Sequence, residues 1–428
     1  MSAPSPADTT RAHALLRLGE LVEAPGQGPA RIGCAMVHLR NVRHVRTLIG
    51  DAGLQEYLAA LRDKLVSVTR DGDRLIECSY DHFVLLLPDI MNTGHLRLVA
   101  QKLDLLLRNP IVVGDQMVAS DFALGLAMLP DDAEDARQLL ERAEVALLAA
   151  EQAGLTHCLF DPAQLSEMTQ SWELDRELRE AIAGNSLMTY YQPQVCLHDG
   201  SLHGVEALAR WNHPGKGFIS PGEFIPAAEK SGLITRLTDV IVKQVMQDFA
   251  RLTALGIPMV SMNLSALDLE DPELAARIQQ QLAIWGVSGE QLTFEITESC
   301  ILQGSDITRR QLDKLRQLGC ALSIDDFGTG YSSLSNFRTV PASEIKIDGS
   351  FVDGIEANST NRDIVAIALE LARRFDLKAV AEGVETEEGA KTLREMGCRI
   401  GQGYLYARPL ALTQLEAWVR ERTPGENN

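Results

Sequence analysis

Short apolar runs alternate with amphipathic stretches along most of the chain, and their order changes near residue 171. Before that point, runs with strand character and stretches with helical spacing alternate in the mixed order of an α/β domain. Helical spacing over 42–68 is broken near Gly50, which predicts two helical segments there. The other predicted elements are strands at 32–37, 83–87 (closed by Pro88) and 119–128, and helices at 95–107 and 135–152.

From residue 171 onward, a charged helical stretch at 171–183 precedes a regular alternation of short apolar runs and helical segments. This alternation is typical of repeated βα units, whose strands are parallel. The apolar runs lie at 188–191, 204–208, 259–262, 292–294, 321–324, 344–347, 377–381 and Ile400. Eight candidate strands with helices between them predict a (β/α)8 barrel.

The length of 428 residues gives room for two or three domains, each able to bury its own core. The predicted division is a tail and linker over 1–29, an α/β domain over 30–165, a barrel domain over 171–420 and a C-terminal tail over 421–428. Within the first tail, a short helical stretch is expected at 13–23.

The chain is strongly acidic, with 40 Lys and Arg against 59 Asp and Glu and a formal charge of -19. A surface of this sign repels phosphate polymers, so long DNA or RNA is excluded as an expected partner. A small phosphate ligand remains compatible with the charge, because carboxylates that hold divalent cations can present a positive face to an anion.

Seven cysteines are scattered along the chain without any paired C-x-x-C spacing, which disfavours zinc clusters and disulfide frameworks. The first 31 residues contain no apolar segment flanked by basic residues. No stretch approaches the roughly 18 apolar residues that a membrane span needs. We therefore expect a protein of the reducing cytoplasm with no membrane partner.

Side chains that can bind a metal or transfer a proton lie in or directly after nearly every apolar run of the predicted barrel. An acid after a strand commonly caps a helix or faces solvent. In a parallel barrel, however, the carboxyl ends of all strands meet at one face, so these groups converge. The residues are Glu206, Asn263, Glu295, Asp325, Asp326, Lys346, Glu382 and Gln402.

The adjacent acids Asp325 and Asp326 place two like charges where a strand meets a loop, which is costly unless cations neutralise them. Glu206, Asn263 and Glu295 supply further oxygen donors, and no His or Cys occupies these positions. Oxygen donors favour Mg²⁺ or Mn²⁺ over zinc.

Lys346 lies on an alternating strand, where an unpaired ammonium is expensive to bury. Beside a metal it could orient water or offset charge on a phosphate, while Glu382 could accept the proton of the water. We assign Glu382 as the base and Lys346 as the orienting group, and the reverse emphasis stays open. The chain has no convincing P-loop, dinucleotide fingerprint or Gly-x-Ser-x-Gly elbow, which favours water as the nucleophile.

The chain from about residue 171 to 415 resembles the EAL-domain cyclic di-GMP phosphodiesterases. Its segment Glu206-Ala207-Leu208-Ala209-Arg210 resembles the signature of that family. Further motifs follow in family order: Tyr191-Gln192-Pro193, Asn263-Leu264-Ser265, Glu295-Ile296-Thr297-Glu298, Asp325-Asp326-Phe327-Gly328, Lys346-Ile347-Asp348, Glu382-Gly383-Val384-Glu385 and Gln402-Gly403-Tyr404. The resemblance implies hydrolysis of cyclic di-GMP to linear pGpG with two Mg²⁺ or Mn²⁺ ions, in a homodimer formed through this domain.

The resemblance also implies a role for each matched residue. Lys346 falls on the catalytic lysine, and Glu298 falls on the residue that steadies the glycine-containing loop 326–334. The metal positions are Glu206, Asn263, Glu295, Asp325 and Asp326, with Glu382 and Gln402 also at the catalytic centre, and the substrate-contacting positions are Gln192, Leu208 and Arg210.

The first domain resembles a GGDEF, or diguanylate cyclase, domain, so the predicted fold class is α/β: a cyclase-like α/β domain followed by a TIM-like barrel. At the signature position the chain has Ser79-Tyr80-Asp81-His82-Phe83, which keeps only the Asp and the Phe. The strand that would carry metal carboxylates reads His38-Leu39-Arg40-Asn41, with no acid. We expect no cyclic di-GMP synthesis from GTP.

Arg70 and Asp73 lie where cyclases of this family carry an Arg-x-x-Asp product site, which makes them a candidate allosteric ligand site. A plain turn at Asp71-Gly72 is the alternative. His38, His44 and His82 lack a strong ligand spacing and are interpreted as surface or turn residues.

Three hypotheses compete for the whole chain. The first is a cyclic di-GMP phosphodiesterase whose inactive GGDEF-like domain is regulatory or a scaffold. The second is a receptor that binds cyclic di-GMP without cleaving it, and the intact Lys346 and Glu382 argue against it. The third is a metal-dependent barrel that cleaves another phosphodiester. No sensory domain is recognisable, so the input could come through a regulatory protein partner, and the output would favour motility over biofilm growth.

Overall fold

The computed structural model describes residues 31–184, 186–298, 305–328 and 341–422, together with Gly19 and Cys300. The chain divides into two compact units between Gln170 and Ser171. The helical stretch expected at 13–23 lies outside the described residues, apart from Gly19, and so does residue 423 onward. Among the described helices, none is both long enough and apolar enough to cross a membrane.

The first unit is an α/β domain. Its elements are β1 (Ile32–Leu39), α1 (Val42–Ser67), β2 (Arg74–Glu77), β3 (His82–Pro88), α2 (Thr93–Arg108), β4 (Ile111–Val113), β5 (Gln116–Val118), β6 (Phe122–Leu129), α3 (Ala136–Gln152), β7 (His157–Leu159) and α4 (Pro162–Ala183), which crosses the division. All predicted elements of this region are present. The strands β2, β4, β5 and β7 were missed, because three or four residues are too few to show a period.

The apolar strand β1 lies at the centre of a five-stranded sheet with the order β2-β3-β1-β6-β7. It pairs antiparallel with both β3 and β6, and β7 pairs parallel with β6. The predicted break in α1 is confirmed: Gly50 has φ 71 and ψ 178, outside helical values. Gly50 permits this backbone because it has no Cβ.

The second unit contains the remaining elements. The strands are β8 (Leu187–Cys196), β9 (Leu202–His213), β10 (Gly217–Ile219), β11 (Val260–Asn263), β12 (Leu292–Thr297), β13 (Ala321–Phe327), β14 (Glu344–Ile347), β15 (Lys378–Ala381) and β16 (Ile400–Gln402). The helices are α5 (Pro221–Lys230), α6 (Ile234–Ala254), α7 (Ala266–Leu269), α8 (Leu274–Trp285), α9 (Asp306–Gln317), α10 (Gly349–Val352), α11 (Ser359–Arg374), α12 (Glu387–Glu395) and α13 (Leu412–Arg422).

Eight of these strands close into a barrel with the order β8-β9-β11-β12-β13-β14-β15-β16, and β16 returns to β8. The predicted barrel is confirmed, but the expectation that all its strands are parallel is wrong. Strand β8 runs antiparallel to both β9 and β16. Only residues 197–201 connect β8 to β9, too few for a crossover, so the two strands form a hairpin.

The apolar core of the second unit surrounds the barrel and leaves its interior polar. Trp211, Phe224 and Phe294 are almost completely buried in one hydrophobic cluster with residues of the helices. On the inner side, strand register places Glu206 beside Gln192 and Ser261. The helices therefore stabilise the strands from outside, and the inward positions are left for polar chemistry.

Gly403 allows the chain after β16 to lie directly on the backbone that follows Glu382. A Cβ at this buried position would lie 2.1 Å from the carbonyl oxygen and 2.3 Å from the nitrogen of Val384. Backbone atoms cannot rotate away, so we predict that Gly403→Ala destabilises the full chain by about 3 kcal/mol, measured by urea unfolding.

Gly222→Ala is the matched control for this prediction. Gly222 is exposed in α5, and a Cβ there would meet only Ser220 Oγ at 3.6 Å. It should leave the unfolding midpoint nearly unchanged. Equal midpoints for both variants would contradict the packing described here.

Candidate active site

A single ammonium group lies among four carboxylates inside the barrel. Lys346, on β14, has a side chain that is only 1% exposed. Its Nζ lies 2.6 Å from Glu295 on β12 and 2.6 Å from Glu382, the residue after β15. It also lies 3.4 Å from Glu206 on β9 and 3.4 Å from Asp325 on β13. The sequence predicted this convergence.

The cluster has more carboxylates than positive charges, and burial and these charges shift the pKa values of its members. Burial alone would lower the pKa of Lys346, but the surrounding carboxylates raise it well above its ordinary value. Burial, together with the charge of Glu206, raises the pKa of Glu295 well above its ordinary value. Burial also raises the pKa of Glu382 to about 7, against the opposing effect of Lys346. Glu382 can therefore take up or release a proton near neutral pH.

Glu206 is held by two amide side chains. Asn263 Nδ2 donates to Glu206 Oε1 at 2.8 Å, and Gln402 Nε2 donates to Glu206 Oε2 at 2.5 Å. Burial would raise the pKa of Glu206, but Lys346 and these hydrogen bonds hold it below its ordinary value. Glu206 therefore remains an anion with a fixed orientation.

Gln194 is a member of this network that the sequence analysis missed. Its Nε2 donates to Gln402 Oε1 at 3.1 Å, and Gln402 Nε2 also contacts Gln192 Oε1 at 3.2 Å. All three glutamines are buried. Alternation along β8 places Gln194 on the same face as Gln192, and this spacing of two was the signal that could have found it.

Asp325 and Asp326 lie together at the end of β13. Asp326 has φ 54, and its N–H donates to Asp325 Oδ1 at 3.0 Å. The pairing of β13 with β14 shifts register here. One carboxylate oxygen each from Asp325, Asp326 and Glu382 lies within 4.8 Å of the others. Burial and the charge of Asp325 raise the pKa of Asp326 above its ordinary value.

The donor set fits a divalent cation. Glu295 Oε1 is buried and has no hydrogen-bond partner in the described part of the chain, although Oε2 accepts from Lys346. The donors gathered here are carboxylate and amide oxygens, as hard cations prefer. Asp325, Asp326 and Glu382 are the residues best placed to hold such an ion.

A cavity of about 330 Å³ opens above the acidic cluster. Gln192, Leu208 and Tyr404 line it together with Glu206 and Glu382. The Tyr404 ring is half exposed and lies 4.1 Å from the guanidinium carbon of Arg408. The cavity combines an acidic floor with Leu208 and Tyr404 in its wall, so an anionic ligand could approach the floor only where bound cations offset the carboxylates.

Two predicted site residues of the second unit, Arg210 and Glu298, belong neither to the lining of this cavity nor to the acidic cluster. Arg210 lines a neighbouring, mainly apolar cavity of about 320 Å³, and its Nη1 donates to the Ala209 carbonyl at 2.8 Å. Glu298 is buried, and neither of its carboxylate oxygens has a partner among the described residues. The loop that it was predicted to steady lies largely outside the described residues, since 329–340 are not described.

Arg70 and Asp73 form a closed turn in the first unit. The Arg70 N–H donates to Asp73 Oδ2 at 2.6 Å, and the Arg70 guanidinium reaches His95 Nε2 at 3.3 Å. Both line a cavity of about 40 Å³. The turn at Gly72, with φ 103, is present, and ligand binding by Arg70 and Asp73 stays a prediction.

Comparisons with known proteins match both units. The family model described as the EAL domain matches residues 175–409, more than half of the chain. The model described as the diguanylate cyclase, GGDEF domain, matches residues 9–157. The cyclic di-GMP phosphodiesterase NbdA of Pseudomonas aeruginosa is 33% identical over 89% of this chain and 49% of its own length. The oxygen sensor protein DosP of Escherichia coli is 32% identical over 91% of this chain and 49% of its own length.

A solved structure, the PaMucR phosphodiesterase in complex with c-di-GMP, matches with a TM-score of 0.54 and 38% identity, over 57% of this chain and 99% of that chain. The chain spans about half the length of the two curated relatives. The fold and the site together define a closed barrel with an acidic cluster whose oxygen donors fit a divalent cation. The chain belongs to the EAL domain family and carries a GGDEF domain ahead of the barrel, which confirms both resemblances.

Removing the buried ammonium should unbalance the cluster. We predict that Lys346→Met lowers the free energy of unfolding by about 3–5 kcal/mol in the presence of chelator, because it leaves buried carboxylates without their cation. Added Mn²⁺ should restore more stability to this variant than to the unmodified protein. Urea unfolding with chelator and with Mn²⁺ measures both effects.

Lys391→Met is the control, because Lys391 is 71% exposed on α12 and makes only a long ion pair of 3.9 Å. Its stability should match that of the unmodified protein with and without metal. If Lys346→Met were equally neutral, the ammonium would not be the counter-charge of this site.

Proposed function

We propose that this chain hydrolyses one phosphodiester of cyclic di-GMP and releases linear pGpG. The observation that carries the proposal is the excess of carboxylates around Lys346 at the floor of an open cavity, with Asp325, Asp326 and Glu382 within 4.8 Å of one another. The names of NbdA and PaMucR support the substrate, since both are described as phosphodiesterases linked to this dinucleotide.

Two Mg²⁺ or Mn²⁺ ions, when bound, would make a water more acidic and offset the charge of the phosphate. The residues proposed to hold them are Glu206, Asn263, Glu295, Asp325 and Asp326, with Glu382 and Gln402 beside them. Asn263 donates a hydrogen bond from its amide nitrogen to Glu206, which leaves the amide oxygen of Asn263 for a cation. Gln402 already engages both ends of its amide, so it acts mainly by orienting Glu206.

Glu382 is the proposed base. Its carboxylate is 20% exposed at the cavity, and its pKa of about 7 lets it accept the proton of the attacking water. Lys346 orients that water or offsets charge on the phosphate. Gln192, Leu208 and Arg210 contact the substrate, and Glu298 positions the loop 326–334. One P–O bond forms to the water and one P–O bond to the ribose breaks.

The first domain is proposed to be regulatory and unable to make cyclic di-GMP. The segment His38-Leu39-Arg40-Asn41, at the end of β1, offers no acid, and the signature position keeps only Asp81 and Phe83. We propose boundaries of 30–165 for this domain and 171–420 for the barrel domain. Homodimerisation through the barrel domain and control by a protein partner complete the proposal.

Purified full-length protein with Mn²⁺ and cyclic di-GMP should yield pGpG. We expect Glu382→Gln to lower kcat by about 10²–10⁴-fold, since it removes the proton acceptor. Glu206→Ala should also abolish turnover, because it removes the carboxylate that faces Asn263, Gln402 and Lys346. Chromatographic separation of substrate and product measures the rate.

Glu395→Gln, a 67% exposed position at the end of α12, should retain the full rate. Sustained turnover in Glu382→Gln and Glu206→Ala would contradict the assigned roles. A stoichiometric complex of the unmodified protein with cyclic di-GMP that never forms product would establish the receptor hypothesis instead.

We also expect no cyclic di-GMP from GTP. The assay uses the Glu382→Gln variant of the full chain, so that any dinucleotide formed is not hydrolysed. GTP with Mg²⁺ or Mn²⁺ should remain unconverted, because the strand and signature offer Asp81 as their one remaining acid. Detection of cyclic di-GMP by mass spectrometry would overturn this part of the proposal.

A further inference from the structure

Two histidines meet on neighbouring strands in the first unit. In the antiparallel pairing of β1 with β3, His38 lies opposite His82. Their rings stack with centroids 4.1 Å apart and planes inclined by 17°. One ring nitrogen of each histidine and one carboxylate oxygen of Asp81 all lie within 4.8 Å of one another. Strand register therefore brings together two histidines that the sequence analysis interpreted as surface or turn residues without a strong ligand spacing.

Carboxylates orient both rings. Glu151 on α3 contacts His38 Nδ1 through Oε1, and Asp81 Oδ1 lies 2.9 Å from His82 Nδ1. Ser79 Oγ donates to the same Asp81 oxygen at 2.5 Å. Glu151 at His38 Nδ1 places the proton there and leaves the lone pair of His38 Nε2 for a metal, the arrangement in which metal-binding histidines are usually held. His82 Nδ1 and Asp81 Oδ1 are 2.9 Å apart, close enough to bind one ion together.

The cluster is accessible. The side chains of His38 and Asp81 are 23% and 24% exposed, and that of His82 is 44% exposed, so an ion can enter from solvent. Arg40, two residues beyond His38, is paired with Asp121 at 2.6 Å.

We propose that His38, His82 and Asp81 bind a divalent transition-metal ion, with Glu151 as the positioning residue for His38. Two imidazoles and a carboxylate favour Zn²⁺, Co²⁺ or Ni²⁺ over Mg²⁺. Ligand bonds of about 2.0–2.2 Å require ligand atoms within about 4.2 Å of one another, closer than the 4.8 Å within which these atoms lie. Because the lone pairs lie in the ring planes, binding would rotate one ring out of the stack.

The site lies at the strand and signature of the first unit where cyclase-like proteins are expected to carry metal carboxylates. Here imidazoles occupy that corner, so the metal preference changes from hard to borderline ions. The site is independent of the proposed hydrolysis, which takes place in the barrel of the second unit.

The test uses the full chain, freed of metal with chelator and kept in excess Mg²⁺ to occupy the oxygen ligands of the barrel. Titration with Co²⁺, followed by visible absorption, should show one equivalent bound with nitrogen and oxygen ligands and no thiolate charge-transfer band. Calorimetry with Zn²⁺ should give the same stoichiometry. His82→Gln should weaken Zn²⁺ binding at least about 100-fold, and Glu151→Gln about 10–100-fold.

Two controls separate this site from others. His44→Gln makes the same change at an exposed position of α1 and should leave Zn²⁺ affinity unchanged. Asp325→Asn in the barrel should also leave the Co²⁺ spectrum intact. Circular dichroism in the presence of chelator checks that each variant is folded. If His38→Gln does not fold, the Zn²⁺ affinity of His82→Gln decides the test. Absence of binding, or binding equally tight in His38→Gln and His82→Gln, would overturn the proposal.

Discussion

The second unit depends on one electrostatic constraint: a lysine ammonium, almost completely buried, faces more carboxylates than it can neutralise. Nζ of Lys346 makes two contacts of 2.6 Å and two of 3.4 Å with acids on three strands and directly after a fourth. Without this cation, the acids of the barrel interior would repel one another in a medium of low dielectric constant. With it alone, negative charge remains, and the protein must either bind protons or bind further cations. Burial raises the pKa of Glu382 to about 7 against the opposing effect of Lys346, and the charges of Asp325 and Glu206 add to the rise.

The barrel can have a polar, charged interior because its apolar core lies outside, between the strands and the helices. Trp211 and Phe294 belong to strands of the barrel, yet both side chains are buried in the outer cluster with the helices. Alternation along a strand gives every second position to the helices and every other position to the interior. The outer layer therefore fixes the backbone, and the backbone fixes where Glu206, Glu295 and Lys346 meet. Rigidity comes from one face of each strand and chemistry from the other.

The sequence predicted the parts of this arrangement that depend on local pattern. The barrel strands were visible as apolar runs, and the convergence of Asp325 with Glu382 followed from the geometry of parallel strands. The predicted direction of β8 was wrong because an apolar run does not show which way its strand runs. The five-residue connection to β9 decides that direction. Gln194 was missed because glutamine is uncharged, so its presence in an apolar strand does not mark a metal or proton-transfer site. Arg210 lines a different cavity from Glu206, and this separation depends on side-chain packing that no motif contains.

The two units present chemically different sets of donors, and this difference governs how each can respond to metals. The barrel gathers carboxylate and amide oxygens, whereas His38 and His82 add imidazole nitrogens on the sheet of the first unit. Hard cations bind oxygen ligands, while borderline ions prefer nitrogen and bind more tightly at a given site. Selectivity therefore arises from donor type and not from affinity alone. In the first unit, strand register brings the imidazoles of His38 and His82 together although they lie on different strands.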